Sequence, residues 1–320
     1  LVAPVAAVSG QTSGAYAAEQ FGTAGGDYLY AVNGADKAQL FDGAAWTQID
    51  GASAPAITGV ATDALSYVWS FASRLFFIEK GTLTAWYLPV DSIGGAANSF
   101  SLAGIFKKGG ALLFGATWSL DAGDGLDDKC VFVSDQGEVA VYEGTNPGSA
   151  ADWRKAGVYN ITAPLGPKAK MQAGGDLLIA TKTGLMPISA AIQRDVAALE
   201  MAAVSQNITP LWQAKAFQLS NGAWEIEKWP SENIMIVSQP GDRENTCLVA
   251  NLQTGSWSRF TGLNVQCLAF FDGSVFFGGT DGVVRRFESG GSDGGANYTC
   301  AYLGNHEQLG TGAVQKTITQ

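Results

Sequence analysis

Histidine is almost absent: the 320-residue chain holds one, His306. Without a second imidazole, histidine-rich zinc sites lose their donors, and Ser–His–Asp or Cys–His catalysis would rest on this one residue. His306 lies in a Gly-rich segment and reads as an exposed loop position. Charge is scarce as well. Only 15% of residues are charged, and 29 acids against 19 bases leave a net charge of −10. A basic footprint for reading DNA sequence is therefore missing, although an acidic wall that repels phosphate and lets a duplex slide past is compatible with it. The four cysteines (Cys130, Cys247, Cys267 and Cys300) include no CxxC pair and read as reduced, mostly buried thiols of a protein that folds in a cytoplasm. No targeting segment is visible, since Leu1 to Val8 is apolar but lacks a basic lead-in and is too short to span a membrane. Membrane insertion is not expected. There is no initiating Met, and the chain stops within a strand-like pattern at Thr317-Ile318-Thr319-Gln320, as expected of a portion of a longer chain.

Motifs that carry chemistry are equally sparse. Glycine doublets such as Gly278-Gly279 precede no helix and no GK[ST], which excludes a phosphate loop. Asp121, Asp124, Asp127 and Asp128 crowd one stretch, but they miss the alternating order of an EF-hand loop and read as a solvated turn rather than an ion site. No carboxylate pair stands out for glycoside cleavage. The expectation is a chain with no catalytic, cofactor-binding or metal residues.

Glycine and apolar residues are what the chain has in quantity: 41 glycines against 10 prolines, and 47% hydrophobic residues. They combine in a recurring hairpin pattern. In "FFDGSVFFGGTDGVVRRFES" (270–289) two apolar runs flank Thr280-Asp281-Gly282, and burial of Phe276, Phe277, Val283 and Val284 is expected. Related units occur at 25–49, 73–90, 109–144, 174–189 and 233–263. Tyr30, Phe76, Leu113, Leu178, Ile236 and Phe276 mark them, at steps of about 40 to 65 residues against the roughly 40–50 of familiar propeller blades. Runs such as Leu177-Leu178-Ile179 and Val275-Phe276-Phe277 are apolar throughout, so they need cover on both faces. Blades stacked around an axis supply that cover, and neighbouring glycines let backbones crowd and turn. Trp46 and Trp257 are expected to pack between blades. The fold class is therefore all-β, a β-propeller of about six blades over 1–288; a two-sheet β-sandwich with irregular hairpins is the alternative.

Two segments depart from the hairpins. In 187–209, Ser189 is a plausible N-cap, and Ile192, Val196, Leu199 and Ala203 recur at helical spacing. One amphipathic helix is predicted there as an insertion over 189–207, lying on a propeller face. Residues 289–320 open as a Gly/Ser-rich linker and resume strand character at Tyr298–Tyr302 and Lys316–Ile318, which would close the ring or begin a platform region.

Three stretches, "RLFFIEKGTLTAWYLPVDSIGGAANSFSL" (74–102), 109–153 and "FFGGTDGVVRRFE" (276–288), resemble the tail nozzle or tail-hub proteins of short-tailed phages, the tail tubular protein B type. The resemblance rests on hairpin style and order and transfers no site residue. It implies a virion tail protein assembled in the bacterial host cytoplasm, with copies of itself forming a ring on the DNA exit path. The implied partners are a tail adaptor or portal protein, tail fibres or spikes, and passing DNA held without sequence-specific contact. Two other classes are carried beside it: a propeller enzyme acting on host polysaccharide, and a receptor-binding module at the tail tip.

Overall fold

The computed structural model describes residues 7–119, 128–219 and 222–288, with Gly290 and Asn297. Tight turns cut the chain into short strands, and consecutive strands pair antiparallel. Blade one is β1 (Ala17–Thr23), β2 (Gly26–Val32), β3 (Ala38–Phe41) and β4 (Trp46–Ile49). A short β5 (Ile57–Thr58) leads into blade two, made of β6 (Leu65–Phe71), β7 (Arg74–Glu79), β8 (Thr84–Tyr87) and β10 (Asn98–Ser101). Between the last two, β9 (Gly95–Ala96) pairs parallel with β5. Blade three is β11 (Leu112–Trp118), β12 (Lys129–Ser134), β13 (Glu138–Glu143) and β14 (Arg154–Asn160). Blade four has three strands: β15 (Lys170–Ala173), β16 (Asp176–Thr181) and β17 (Gly184–Pro187). Blade five is β18 (Glu225–Trp229), β19 (Ile234–Ser238), β20 (Cys247–Asn251) and β21 (Trp257–Phe260). Blade six ends the described chain with β22 (Cys267–Phe271), β23 (Ser274–Gly278) and β24 (Val284–Arg286).

The first strand of each sheet is its inner edge. β1 packs beside β6, β6 beside β11, β15 beside β18, and β18 beside β22, and a common cavity is bounded by β1 at one side and β22 at the other. Six sheets arranged around one axis make a six-bladed β-propeller, and the sandwich alternative falls. Two-sided cover follows for the second strands: Leu75 to Ile78, Cys130 to Val133, and Leu177 with Ile179 are all buried.

Blades are joined by aromatic packing and by glycine. Trp69 of β6 stacks on Phe76 in its own blade and meets Phe132 of blade three edge-on at 5.7 Å. Trp153, just before β14, stacks on Tyr142 at 5.3 Å and presents its edge to Phe71 of blade two at 5.9 Å. Each such pair adds about 0.5–1.5 kcal/mol beyond area burial. The Trp69 ring lies so close to Gly115 of β11 that a Cβ there would stand 2.3 Å from it. At the β12–β13 turn Gly137 has φ +78°, and a Cβ would meet the Ile161 carbonyl at 2.3 Å, so both the backbone angle and the space require glycine.

Several expectations need correction. The marker Leu113 lies on the first strand of its blade whereas the other five lie on second strands, which shortens the step before it and lengthens the step after it; the long step from Leu178 to Ile236 holds the helical insertion. Trp46 packs on Phe41 in its own blade, and Trp257 meets Trp212 of a helix. In the 270–289 stretch, Val275 and Phe277 are buried and Phe276 is half-buried, but Val283 and Val284 are exposed, at and just before β24, which pairs on one side only among the described residues. The single inserted helix is instead α1 (Ile188–Gln193) and α2 (Val196–Leu199), followed by two 3-10 turns and α3 (Thr209–Gln218). Arg194 is extended (φ −132°, ψ 150°) and interrupts the helical path. Ser189 lies inside α1, and both its amide and its hydroxyl donate to the Asp176 carboxylate. That carboxylate, reaching over from β16, supplies the acceptor that an N-cap side chain would otherwise provide. The predicted strands at 298–302 and 316–318 lie outside the described residues.

Candidate functional site: the axial cavities

The first strands turn their edges to the axis, and residues from them line the space there. Two openings result. One, of about 770 Å³, is lined by Gln20, Ser70, Thr117, Asp128, Gln172 and Lys228, among others. The other, of about 750 Å³, gathers the charges: Glu19 of β1, Lys168 and Lys170 at β15, and Glu225, Glu227 and Lys228 of β18, with Tyr67 and Phe270 at its wall.

Each charged group has a distinct environment. Glu19 accepts hydrogen bonds from the Ser70 amide (3.2 Å) and hydroxyl (2.6 Å), linking blades one and two. Burial raises its pKa, partly offset by Ser70 and Lys170. Glu225 links three blades: it pairs with the Lys168 ammonium at 3.1 Å and accepts from the Leu268 amide at 3.1 Å. Burial raises it too, against the pull of Lys168. The Lys170 ammonium lies 5.7 Å from the Tyr67 ring centroid and 5.8 Å from that of Phe114. Burial alone would lower Lys170, but Tyr67 and the carboxylates Glu19 and Glu227 outweigh it and raise the pKa. Glu227 accepts one hydrogen bond, from the Lys228 amide at 3.2 Å. Burial, reinforced by the neighbouring charge of Glu225, pushes it up to about 7.

This cluster can exchange a proton near neutrality, and at that pH Glu227 switches between hydrogen-bond donor and acceptor. Among the described residues, no group of three or more His, Cys, Asp or Glu side chains could hold a metal ion. No helix among them is long and apolar enough to cross a membrane.

Sequence reasoning named no site residue and so missed this cluster. A signal was present: Glu225-Ile226-Glu227 and Lys168-Ala169-Lys170 each place like charges two apart, hence on one face of a strand. Of the Asp-rich stretch, Asp128 accepts from the Ser119 hydroxyl at 2.5 Å, while Asp121, Asp124 and Asp127 lie outside the described residues. So do His306 and Cys300. Cys130 and Cys247 are buried free thiols, and Cys267, also free, is exposed.

No protein-family model and no curated protein sequence matches the chain. Three solved structures illustrate its likeness in fold. The computationally designed Ika8 protein is 12% identical, covers 85% of this chain and 70% of its own, and gives a TM-score of 0.43. A putative 6-phosphogluconolactonase from Bacteroides uniformis is 12% identical, with 84% and 83% covered and a TM-score of 0.47. Sqt1 from Saccharomyces cerevisiae is 12% identical, with 83% and 68% covered and a TM-score of 0.48. The six-bladed assignment stands on the sheet arrangement itself.

Proposed function

We propose that this chain is a non-enzymatic structural protein of a phage virion, one subunit of a tail nozzle or hub ring on the DNA exit path. The observation that carries the assembly reading is the placement of exposed apolar side chains. Phe217 (87% exposed) and Met201 (66%) stand on the helical segment, and Phe271 and Val284 (71% each) stand on blade six. Contiguous exposed apolar surface marks contact sites between proteins, and in the proposed ring these side chains supply it. The resemblance of the hairpin units to tail nozzle proteins supports the choice of assembly. In such a ring the duplex runs past the subunits and not through the propeller axis, where Lys170 of blade four lies close enough to Glu19 of blade one for each charge to act on the other. A net charge of −10 keeps passing DNA from adhering.

Electron microscopy of the purified chain, and of particles carrying it, tests the proposal. Rings in solution and density for the propeller on the tail axis are expected, as is no shift of duplex DNA in a low-salt gel. A chain that stays monomeric at high concentration and is missing from the tail overturns it.

One observation favours a second reading. Glu227, raised to about 7 beside Glu225 in an open cavity, has the environment of a general acid, so a propeller enzyme acting on host polysaccharide is the competing function. Release of reducing ends from host capsule by the purified chain, abolished in Glu227→Gln, would establish it.

A further inference from the structure

Apart from the indole nitrogens of Trp69 and Trp153, three buried side-chain atoms among the described residues have no hydrogen-bond partner in the protein. They are Oε1 and Nε2 of Gln239 and Oγ1 of Thr246, in residues that are each 3% exposed. All three belong to the wall of one small cavity at the junction of blades five and six. The loop from β19 to β20 forms one side of it, with Gly241, Asp242 and Asn245, together with Cys247 at the start of β20; the connection into blade six, residues 263–266, forms the other. The space inside is about 10 Å³ measured at the centre of a water-sized sphere, close to the roughly 10–15 Å³ that one water needs.

We infer that this cavity is a binding site for a single internal water molecule, which bridges the Gln239 amide and the Thr246 hydroxyl. The chemistry of the wall selects among occupants of that size. The Gln239 amide offers a donor and an acceptor, and the Thr246 hydroxyl offers both, so the occupant has to give one hydrogen bond and take another. A monovalent cation would satisfy Oε1 and Oγ1 but leave the Nε2 donor orphaned; a halide would do the reverse. Water satisfies the pair in either orientation of the amide. The alternative, three unsatisfied buried polar atoms, costs the desolvation of each.

The position gives the water a role. Around the cavity the two segments are already tied: the Leu263 amide donates to the Asn245 carbonyl at 2.9 Å, and the Ser238 hydroxyl to the Val265 carbonyl at 3.1 Å. The Asp242 carboxylate is held on the outer side by Lys215 of α3 at 2.9 Å. The water completes this belt, so the β19–β20 loop, α3 and the entry to blade six form one unit.

A crystal structure of the unaltered chain at about 1.8 Å or better tests the site directly. A water peak within hydrogen-bond distance of both Gln239 and Thr246 is expected. Contact between the two side chains with no peak overturns the inference, as does a peak that gives anomalous signal after rubidium exchange. Thermal melts give an independent measure. Gln239→Leu and Thr246→Val should each lower the melting temperature by several degrees, and the double variant by clearly less than the sum, because both lose the same water. Strict additivity, or a melting temperature that depends on potassium rather than sodium at equal ionic strength, counts against it.

Discussion

Glu227 holds its proton to about pH 7 in the fold, against an ordinary value of 4.5, so between those values the folded chain keeps a proton that the unfolded chain has released. Stability therefore falls as pH rises through that window. Glu225, Lys168, Lys170, Lys228 and Glu19 share the cavity, and the upward shift is what remains after the lysines have acted. Glu227→Gln removes the charge that the fold disfavours. It should stabilise the chain at pH 8 by on the order of 1–3 kcal/mol and change little near pH 5, as read from urea melts at both values. A variant equally stable to the native chain at pH 8 would show that the carboxylate is solvated. Gly115 gives a second residue-level test. Gly115→Ala places a methyl 2.3 Å from the Trp69 ring, and the forced shift should cost about 1–3 kcal/mol or more. Trp69→Phe in the same background should recover part of the loss. The chain is rich in glycine, and sequence alone did not distinguish Gly115 from those that only serve turns. What makes it special is a ring from another blade.

At the level of elements, the hairpins were legible because their turns are local chemistry. Gly282, at positive φ, closes the turn that the sequence marked at Thr280-Asp281-Gly282. Two first strands, β15 and β18, were not legible for the same reason that they carry the site: they bring lysine and glutamate to the axial cavity, which breaks the apolar pattern used to find strands. The helical segment failed differently. Its apolar spacing is real, but extended Arg194 interrupts it, and the longest helix, α3, begins beyond the predicted boundary with Pro210 in its first turn, a start signal that went unused. α3 is anchored by Trp212, which is fully buried, packs against Trp224 at 5.3 Å, and donates from Nε1 to the Thr181 carbonyl at 2.8 Å. Trp212→Ala should cost about 3–5 kcal/mol, whereas Phe217→Ala on the same helix should stay within about 0.5 kcal/mol. Denaturant midpoints of the two variants provide the comparison. Similar losses would mean that α3 is not fixed to the blades through its tryptophan.

For the whole molecule, the burial argument from the sequence was sufficient to reach the propeller and its blade number. It could not reach the axis, since residues from β1 to β22 converge there only after all six sheets have formed. Blades two and three share an aromatic layer, and blades four and five are stitched by Lys168–Glu225 and by Trp257 on Trp212. Blades five and six are joined by the Trp229 indole donating to the Gly273 carbonyl at 2.9 Å.

Every blade is built from one uninterrupted stretch of sequence, and among the described residues no strand from one terminal blade enters the sheet of the other. All other neighbours are also tethered by the covalent chain, whereas blades one and six, which both line the axial cavity, share no strand among the described residues. Unfolding should begin by parting there. Amide exchange in β1 and β22 is expected to outpace that in β7 and β12, and a permutant with new ends between blades three and four should move the fast-exchanging strands with it.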